Sequence, residues 1–226
     1  MTGSVANPSR FRGFPPEATD FYRRLAADNT KRWWEEHRGT WEPAVRDPMR
    51  ALTAELTDEF GVFHLFRPHR DTRFSKDKSP YKLHMGAVTE GEGGTAYYVA
   101  IDADGLFVGS GYHRMASDPL GRFGAAAAAD RRGPALEAVL ASLDRRIDVG
   151  GEALATAPRG YPRDHPRVAL LRHKGLTIGR SFGAPAWLST RRTLTVVRDT
   201  WRSGAAVHEW LDTHVGPSEE PPDERR

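Results

Sequence analysis

The sequence contains no cysteine among its 226 residues. Disulfide bonds, thiolate nucleophiles, and zinc or iron–sulfur sites with cysteine ligands are therefore excluded. No apolar run approaches the roughly 20 residues that a transmembrane helix requires, and the N-terminal residues lack the basic and apolar regions of a signal peptide. Together these absences predict a soluble, cytoplasmic protein that does not enter a membrane.

Several fingerprints of catalytic and nucleotide-binding sites are also missing. There is no Gly-x-x-x-x-Gly-Lys-Ser/Thr phosphate loop, no Gly-x-Gly-x-x-Gly motif and no His-Glu-x-x-His motif. The nine histidines are scattered without the spacing of metal ligands, so we expect no metal site, and the sequence leaves the question of a cofactor open. His113 and His165 are the candidates for acid–base catalysis. An ordinary surface or structural role is the alternative for each, and whether the protein is an enzyme stays open.

Positive charge is concentrated in residues 67–82, Arg-Pro-His-Arg-Asp-Thr-Arg-Phe-Ser-Lys-Asp-Lys-Ser-Pro-Tyr-Lys. This stretch holds six basic and two acidic residues, a net of +4, whereas the whole chain carries only +3. Three of the five lysines of the chain lie within it. Phe74 and Tyr81 stand among the charges and indicate a segment that is partly anchored in a core.

The spacing of these charges favours a binding site for an anion. In an extended chain Arg67, Asp71 and Arg73 share one face, and Asp71 would stay ionised and orient a neighbouring guanidinium. A guanidinium held in this way is a good bidentate partner for phosphate or carboxylate. The predicted ligand-binding residues are Arg67, Arg70, Asp71, Arg73, Asp77, Lys78, Tyr81, Tyr112, Arg159 and Tyr161.

A second basic stretch, Arg159 to Arg180, carries six cations and one acid, a net of +5. If the two stretches meet in space, they form a positive surface that suits a small phosphorylated ligand or a nucleic acid. Nucleic-acid binding by both stretches is therefore the second hypothesis. The third is an interaction module in which the first stretch is only an internal salt-bridge network. The oligomeric state is left open.

Helix and strand signals alternate along the chain. Near the N-terminus, helices are predicted from Glu17, from Lys31 behind a Thr30 cap, and from Asp47 by a cap-then-proline pattern, with the Trp33-Trp34 pair in the core. Further helices are predicted near residues 117–129, 134–147 and 194–215, and strands at residues 62–66, 81–89, 152–156 and 176–182. This mixture predicts a single α+β domain over residues 11–215, with a mainly antiparallel sheet, flanking helices, and flexible termini at residues 1–10 and 216–226.

The clearest local signal is a β-hairpin around Asp104-Gly105, between two strand-like runs at residues 95–103 and 106–113. A two-residue turn at this place would pair Ile101 with Val108 and Tyr98 with Gly111. One face of the second strand then carries glycine at alternate positions. Such a bare face admits a closely packed helix or a ligand.

The basic stretch is similar to the signature of a bacterial family of uncharacterised proteins of about this length. That signature is Arg-x-x-Arg-Asp-x-Arg-Phe, followed by an Asp/Asn-Lys pair and a tyrosine. The matching residues are Arg67, Arg70, Asp71, Arg73, Phe74, Asp77, Lys78 and Tyr81. The similarity covers roughly residues 11–215, but it implies no activity and assigns no catalytic role, because the family has no established function.

Overall fold

The computed structural model describes residues 10–73, 76–89 and 94–219. Phe74, Ser75 and residues 90–93 lie outside these ranges, as do residues 1–9 and 220–226 of the termini predicted to be flexible. The helices are α1 (Glu17–Ala27), α2 (Lys31–Trp41), α3 (Asp47–Ala54), α4 (Thr57–Phe60), α5 (Ser117–Ala128), α6 (Arg132–Ala141), α7 (Val168–Leu171), α8 (Arg192–Ser203) and α9 (Ala205–His214). The strands are β1 (Phe63–Leu65), β2 (His84–Thr89), β3 (Ala96–Asp102), β4 (Leu106–Tyr112), β5 (Asp148–Gly150) and β6 (Leu176–Gly183).

These strands form one sheet in the order β1-β2-β3-β4-β6-β5. Met85 of β2 lies opposite Ile101 of β3, and Val149 of β5 lies opposite Ile178 of β6, both in antiparallel register. The predicted α+β fold with an antiparallel sheet and flanking helices is confirmed. Two compact units share the chain: the first comprises Met1–Glu90, Tyr98–Val108 and Ser181–Asp199, and the second Gly91–Tyr97, Gly109–Arg180 and Thr200–Arg226.

The first unit is built on aromatic residues from the N-terminal helices. The Thr30 side chain caps α2 by accepting a hydrogen bond from the Trp33 amide at 3.2 Å, as predicted. Trp34 is buried, and its ring lies 5.3 Å from that of Trp41. The prediction that the tryptophan pair belongs to the core is confirmed, since only 9% of Trp33 and 5% of Trp34 are exposed.

The start of α3 is where the sequence predicts it, but the predicted cap is wrong. A π-helical segment, Glu42–Arg46, connects α2 to α3, so the backbone that reaches Asp47 is already helical. The Asp47 carboxylate accepts a hydrogen bond from Arg46 Nε at 2.9 Å and makes no capping contact. A cap is not needed here, because the preceding helical turn supplies the carbonyl acceptors.

The second unit has its own apolar core, in which Phe123 of α5, Leu136 of α6 and Val207 of α9 are fully buried. Helix α6 ends at Ala141 and does not continue to residue 147 as predicted. The strand predicted at residues 152–156 is also wrong, since β5 lies at Asp148–Gly150 and Ala153 makes only an isolated bridge with His173. Gly151, with a positive φ of 118°, separates the two.

The hairpin between β3 and β4 is present, but its predicted register is wrong. The Asp102 amide donates to the Gly105 carbonyl at 3.1 Å, and the Gly105 amide donates to Asp102 Oδ1 at 3.0 Å. The rings of Tyr98 and Phe107 lie 6.0 Å apart, which the predicted pairing of Tyr98 with Gly111 would not allow. The Asp102 carboxylate acts as the acceptor at the turn and moves the tip one residue toward the N-terminus.

The two faces of the sheet differ in the first unit. Met85, Ala87, Val99 and Ile101 are buried on one face. On the opposite face, which we call the open face, Gly86 and Ala100 lie opposite each other in register. The larger side chains of the open face are only half-buried: Phe66, His84, Tyr98, Asp102 and Phe107.

Candidate anion-binding site

The basic stretch forms a two-armed ribbon in the first unit. The Arg70 amide donates to the Pro80 carbonyl at 2.9 Å, and the Lys82 amide donates to the Pro68 carbonyl at 2.8 Å. His69 and Tyr81 form an isolated antiparallel bridge between these bonds. We call residues 67–82 the basic ribbon, residues 67–70 and 80–82 its arms, and residues 71–79 its loop. The second arm leads directly into β2.

Tyr81 anchors the basic ribbon to the aromatic core. Only 3% of Tyr81 is exposed, and its ring stacks on Trp34 with 4.3 Å between centroids. Asn29 holds the backbone of Tyr81 from both sides, because Asn29 Oδ1 accepts from the amide at 3.2 Å and Asn29 Nδ2 donates to the carbonyl at 2.9 Å. The structure thus gives the ring of this predicted ligand-binding residue a packing role.

The acidic side chains of the loop pair with arginines of the basic ribbon. Asp71 accepts hydrogen bonds from the guanidinium of Arg73, with Nη2 to Oδ2 at 2.7 Å, and these bonds lower the pKa of Asp71 to about 2. Asp77 accepts from the Ser79 hydroxyl at 2.6 Å and its amide at 2.9 Å and pairs with Arg70, which together lower its pKa to about 2.

The remaining predicted cation of the loop, Lys78, donates to the Thr72 carbonyl at 2.9 Å. The guanidinium of Arg70 and that of Arg73 are each engaged by a carboxylate of the same loop. The internal network that the third hypothesis requires is therefore present in the loop. These pairs are at least partly exposed, so they order the loop more than they stabilise the fold.

The base of the basic ribbon, by which we mean Arg67 and Lys82, is different, because its two cations form no salt bridge within the described residues, although the charge of Arg67 helps to lower the pKa of Asp71. Across residues 10–73, 76–89 and 94–219, no carboxylate lies within salt-bridge distance of Arg67 or Lys82. Burial lowers the pKa of Lys82, and the positive charge of Arg67 lowers it further. The Lys82 ammonium lies 4.8 Å from the centroid of the Phe66 ring.

His84, two residues after Lys82, lies close to these cations. It lies opposite Asp102 in the register of β2 and β3. Burial is the main cause that lowers the pKa of His84, the charges of Lys82 and Arg70 lower it further, and Asp102 acts in the opposite direction. A half-buried imidazole thus experiences the field of two cations, and an anion placed among these groups would relieve their repulsion.

The other predicted site residues belong to the second unit. The Tyr112 hydroxyl donates to Asp212 Oδ1 at 2.9 Å, and burial together with this bond raises the pKa of Tyr112. Arg159 is exposed. The rings of Tyr161 and His165 lie 6.4 Å apart.

The candidate catalytic histidines also lie in the second unit. His113 is exposed, and His165 Nδ1 accepts a hydrogen bond from the Arg167 amide at 3.1 Å.

The second basic stretch is partly used for internal contacts. Arg167 closes the C-terminus of α5, where its Nε donates to the Ala127 carbonyl at 2.7 Å and its Nη2 to the Ala128 carbonyl at 2.6 Å. Lys174 pairs with Glu152 at 2.6 Å. These contacts remove two of the stretch's six cations from the set that is free to hold a phosphate.

The glycines of β4 in the second unit allow other segments of the chain to pack closely against the strand. The Gly109 carbonyl accepts a hydrogen bond from Trp201 Nε1 of α8 at 2.9 Å. A Cβ on Gly111 would lie 2.5 Å from the Leu176 carbonyl of β6. A helix and a strand therefore approach these two glycines closely, and the packing alternative applies at both.

Sequence reasoning did not single out Lys82 and His84 as site residues. The strand alternation that places His84 on the face opposite Met85 was available as a signal. A Gly-x-Ser-x-Gly match at Gly179–Gly183 was also overlooked. Its serine lies within β6 and not at a strand-to-helix turn, so this match does not form a nucleophile elbow.

The described residues contain no group of three or more metal-ligating side chains that could hold a metal ion. In the same part of the chain, every helix is too short or too polar to cross a membrane. No curated protein and no solved structure matches the chain. A family described as "Conserved hypothetical protein (DUF2461)" matches residues 17–210, from the first residue of α1 into α9. Because that match covers most of its length, the chain belongs to this family of conserved hypothetical proteins.

Proposed function

We propose that the protein binds a small anionic, phosphorylated ligand at the base of the basic ribbon. Arg67, Lys82 and His84 are the main contacts, and Arg70 adds its field. The observation that carries the proposal is the pair Arg67 and Lys82, whose charges disfavour each other and which form no salt bridge within the described chain; Asp71 feels the charge of Arg67 but is itself paired with Arg73. A phosphate oxygen would supply the missing negative charge, and Arg67 offers the planar donor set that phosphate accepts.

Two observations favour this proposal over the alternatives. Nucleic-acid binding by both stretches requires free cations in each, and Arg167 and Lys174 have partners within the second unit. A purely internal network would need an acid beside each cation of the ribbon. Arg70 and Arg73 have one, whereas Lys78 donates to a backbone carbonyl, and Arg67 and Lys82 form no salt bridge within the described residues. Arg73, Asp71, Asp77 and Lys78 then position the loop and do not hold the ligand.

Lys82→Gln is expected to weaken the binding of inorganic phosphate at least tenfold, because a charge-assisted hydrogen bond to a partly buried site contributes about 1.5–3 kcal/mol. The measurement is the phosphate-dependent rise of the melting temperature at constant ionic strength. The variant itself should melt at or slightly above the wild-type temperature, since it relieves the repulsion between Lys82 and Arg67.

Lys76→Gln is the matched control, because it removes the same charge from an exposed position on the loop. Its phosphate affinity should stay within about twofold of the wild type, as expected for a screened surface charge. Equal losses in both variants would show that phosphate responds only to net charge. An unchanged affinity in Lys82→Gln would place the anion elsewhere.

We also propose that the signature in residues 67–81 marks a bacterial family and that the protein is cytoplasmic. Residues 11–215 would form its single domain.

The described end of the predicted C-terminal tail is held by α5, since the Ser218 hydroxyl donates to Asp118 Oδ1 at 2.6 Å and the Glu219 amide to Asp118 Oδ2 at 2.8 Å. Limited proteolysis should therefore cut after residue 219 and not before it.

A further inference from the structure

Three aromatic side chains form a row on the open face of the first unit. The Phe66 and Tyr98 rings lie 6.0 Å apart, and the Tyr98 and Phe107 rings also lie 6.0 Å apart. All three come from different strands or strand ends, and each is half-buried. We call Phe66, Tyr98 and Phe107 the aromatic row.

The row differs from the aromatic core of the same unit. Core rings such as Phe21 and Tyr22 are almost wholly buried, with 3% and 2% exposed. The rings of the aromatic row keep more of their surface in solvent, although apolar contacts would stabilise them if they were covered. Gly86 leaves space for the Phe66 and Tyr98 rings on the sheet, because a Cβ there would lie 2.9 Å from both Phe66 Cδ2 and the Tyr98 hydroxyl. Phe66 and Tyr98 can therefore lie close to the sheet and leave ring surface facing outward.

The aromatic row is continuous with the proposed anion site. Lys82 sits over the ring of Phe66, and His84 follows two residues later on the strand that carries Gly86. Positive charge thus adjoins one end of the row, and flat apolar surface extends from it. A ligand that matches both features carries a planar ring at one end and an anion at the other.

A cavity elsewhere in the first unit lacks this combination. A cavity of about 560 Å³ is lined by residues of the segments 14–23 and 184–189. Its cation, Arg23, is already paired with Asp20 at 3.2 Å and with the Thr19 hydroxyl at 3.0 Å. The lining also carries the acidic residues Glu17 and Asp20, so this cavity does not favour an anionic ligand.

We infer that the ligand of this protein is a nucleotide: its phosphate lies between Arg67 and Lys82, and its base packs on the aromatic row. The inference rests on the proposed function for the phosphate and on the aromatic row for the base. Stacking on aromatic side chains tolerates any base, so the row selects a planar heteroaromatic ring and not a particular base.

The test compares the binding of AMP, ribose 5-phosphate and adenosine to the full chain by calorimetry. Ribose 5-phosphate carries the phosphate without the ring, and adenosine carries the ring without the phosphate. AMP should bind at least fivefold more tightly than ribose 5-phosphate, since stacking of one base contributes about 1–3 kcal/mol, or roughly five- to 150-fold. It should bind at least tenfold more tightly than adenosine, which lacks the charge-assisted bonds to the phosphate. Tyr98→Leu should remove about tenfold of AMP affinity and leave ribose 5-phosphate unchanged.

Tyr98→Phe is the matched control, because it keeps the ring and removes only the hydroxyl, and its AMP affinity should stay near that of the wild type. If AMP and ribose 5-phosphate bind equally, the inference fails and the proposed function stands. If neither binds and inorganic phosphate has no effect, both fail. If an oligoadenylate of about eight nucleotides binds far more tightly than AMP with a steep dependence on salt, the occupant is a single-stranded nucleic acid and the inference is overturned.

Discussion

Gly105→Ala is expected to destabilise the protein by more than about 3 kcal/mol, because two penalties coincide at this turn. Gly105 has a φ of +124°, which residues with a Cβ rarely adopt. An added Cβ would also lie 2.0 Å from the carbonyl oxygen of Gly183 and 2.1 Å from its carbonyl carbon. Both atoms belong to the backbone at the end of β6, so no side-chain rotation can relieve the overlap.

Equilibrium unfolding in urea measures this loss, and Gly61→Ala separates its two causes. Gly61 ends α4 with a φ of +93°, and a Cβ there would meet no atom within 4 Å. That variant should lose less, about 1–3 kcal/mol, the cost of placing a Cβ in a backbone conformation that glycine alone readily adopts, with φ +93° and ψ 177°. Losses of the same size at both positions would mean that the turn moves away from β6 at little cost.

Acidification is expected to destabilise the protein through His208, by about 3 kcal/mol between pH 6.5 and pH 4. His208 is 5% exposed, and its Nε2 lies 2.8 Å from the hydroxyl of Ser110 on β4. The Tyr97 ring, 5.4 Å away, also faces it. Burial lowers the pKa of His208 to about 4, although the negative charge of Asp212 acts in the opposite direction.

The sign follows from proton binding. Between the folded pKa of about 4 and the unfolded value of 6.5, the unfolded chain holds a proton on this histidine and the folded chain does not. The contribution of His208 to stability is therefore complete above pH 6.5 and is lost as the pH falls toward 4. Below that, both states are protonated and the dependence ends.

His208→Gln should remove most of the slope in this part of the stability profile, since glutamine does not titrate in this range; His84, whose pKa burial also lowers, supplies a smaller part. Urea unfolding at several pH values between 4 and 7 measures the slope. His113→Gln is the control, because His113 is exposed and its replacement should leave the slope as in the wild type. A slope that persists in His208→Gln would assign the acid sensitivity to other groups.

The fold was predictable wherever the signals were local. The Thr30 cap, the buried Trp33-Trp34 pair and the hairpin near Gly105 each follow from a few adjacent residues, and the structure contains all three. The hairpin register was missed because a side chain replaced a backbone contact. Asp102 accepts the hydrogen bond at the hairpin turn and changes the register, and residue type alone does not show this choice.

The candidate site was predictable as a region but not as a set of contacts. Arg70 and Arg67 both belong to the predicted binding site, and nothing in the sequence distinguishes them. In the structure, Arg70 pairs with an acid seven residues away and Arg67 does not. Arg167 closes a helix about 40 residues earlier in the chain. Pairings over such distances depend on how the chain folds back, so counting charges along a stretch overestimates the number that are free to bind a ligand.

The ties within the loop of the basic ribbon make its order sensitive to the solvent. Asp71 pairs with Arg73, and Asp77 with Arg70, at sites that dissolved ions can reach. At molar salt the screening distance falls to about 3 Å, so both pairs weaken. The backbone hydrogen bonds between the arms, from Arg70 to Pro80 and from Lys82 to Pro68, join neutral groups and persist. A high salt concentration would therefore loosen the loop of the basic ribbon and leave its two arms paired.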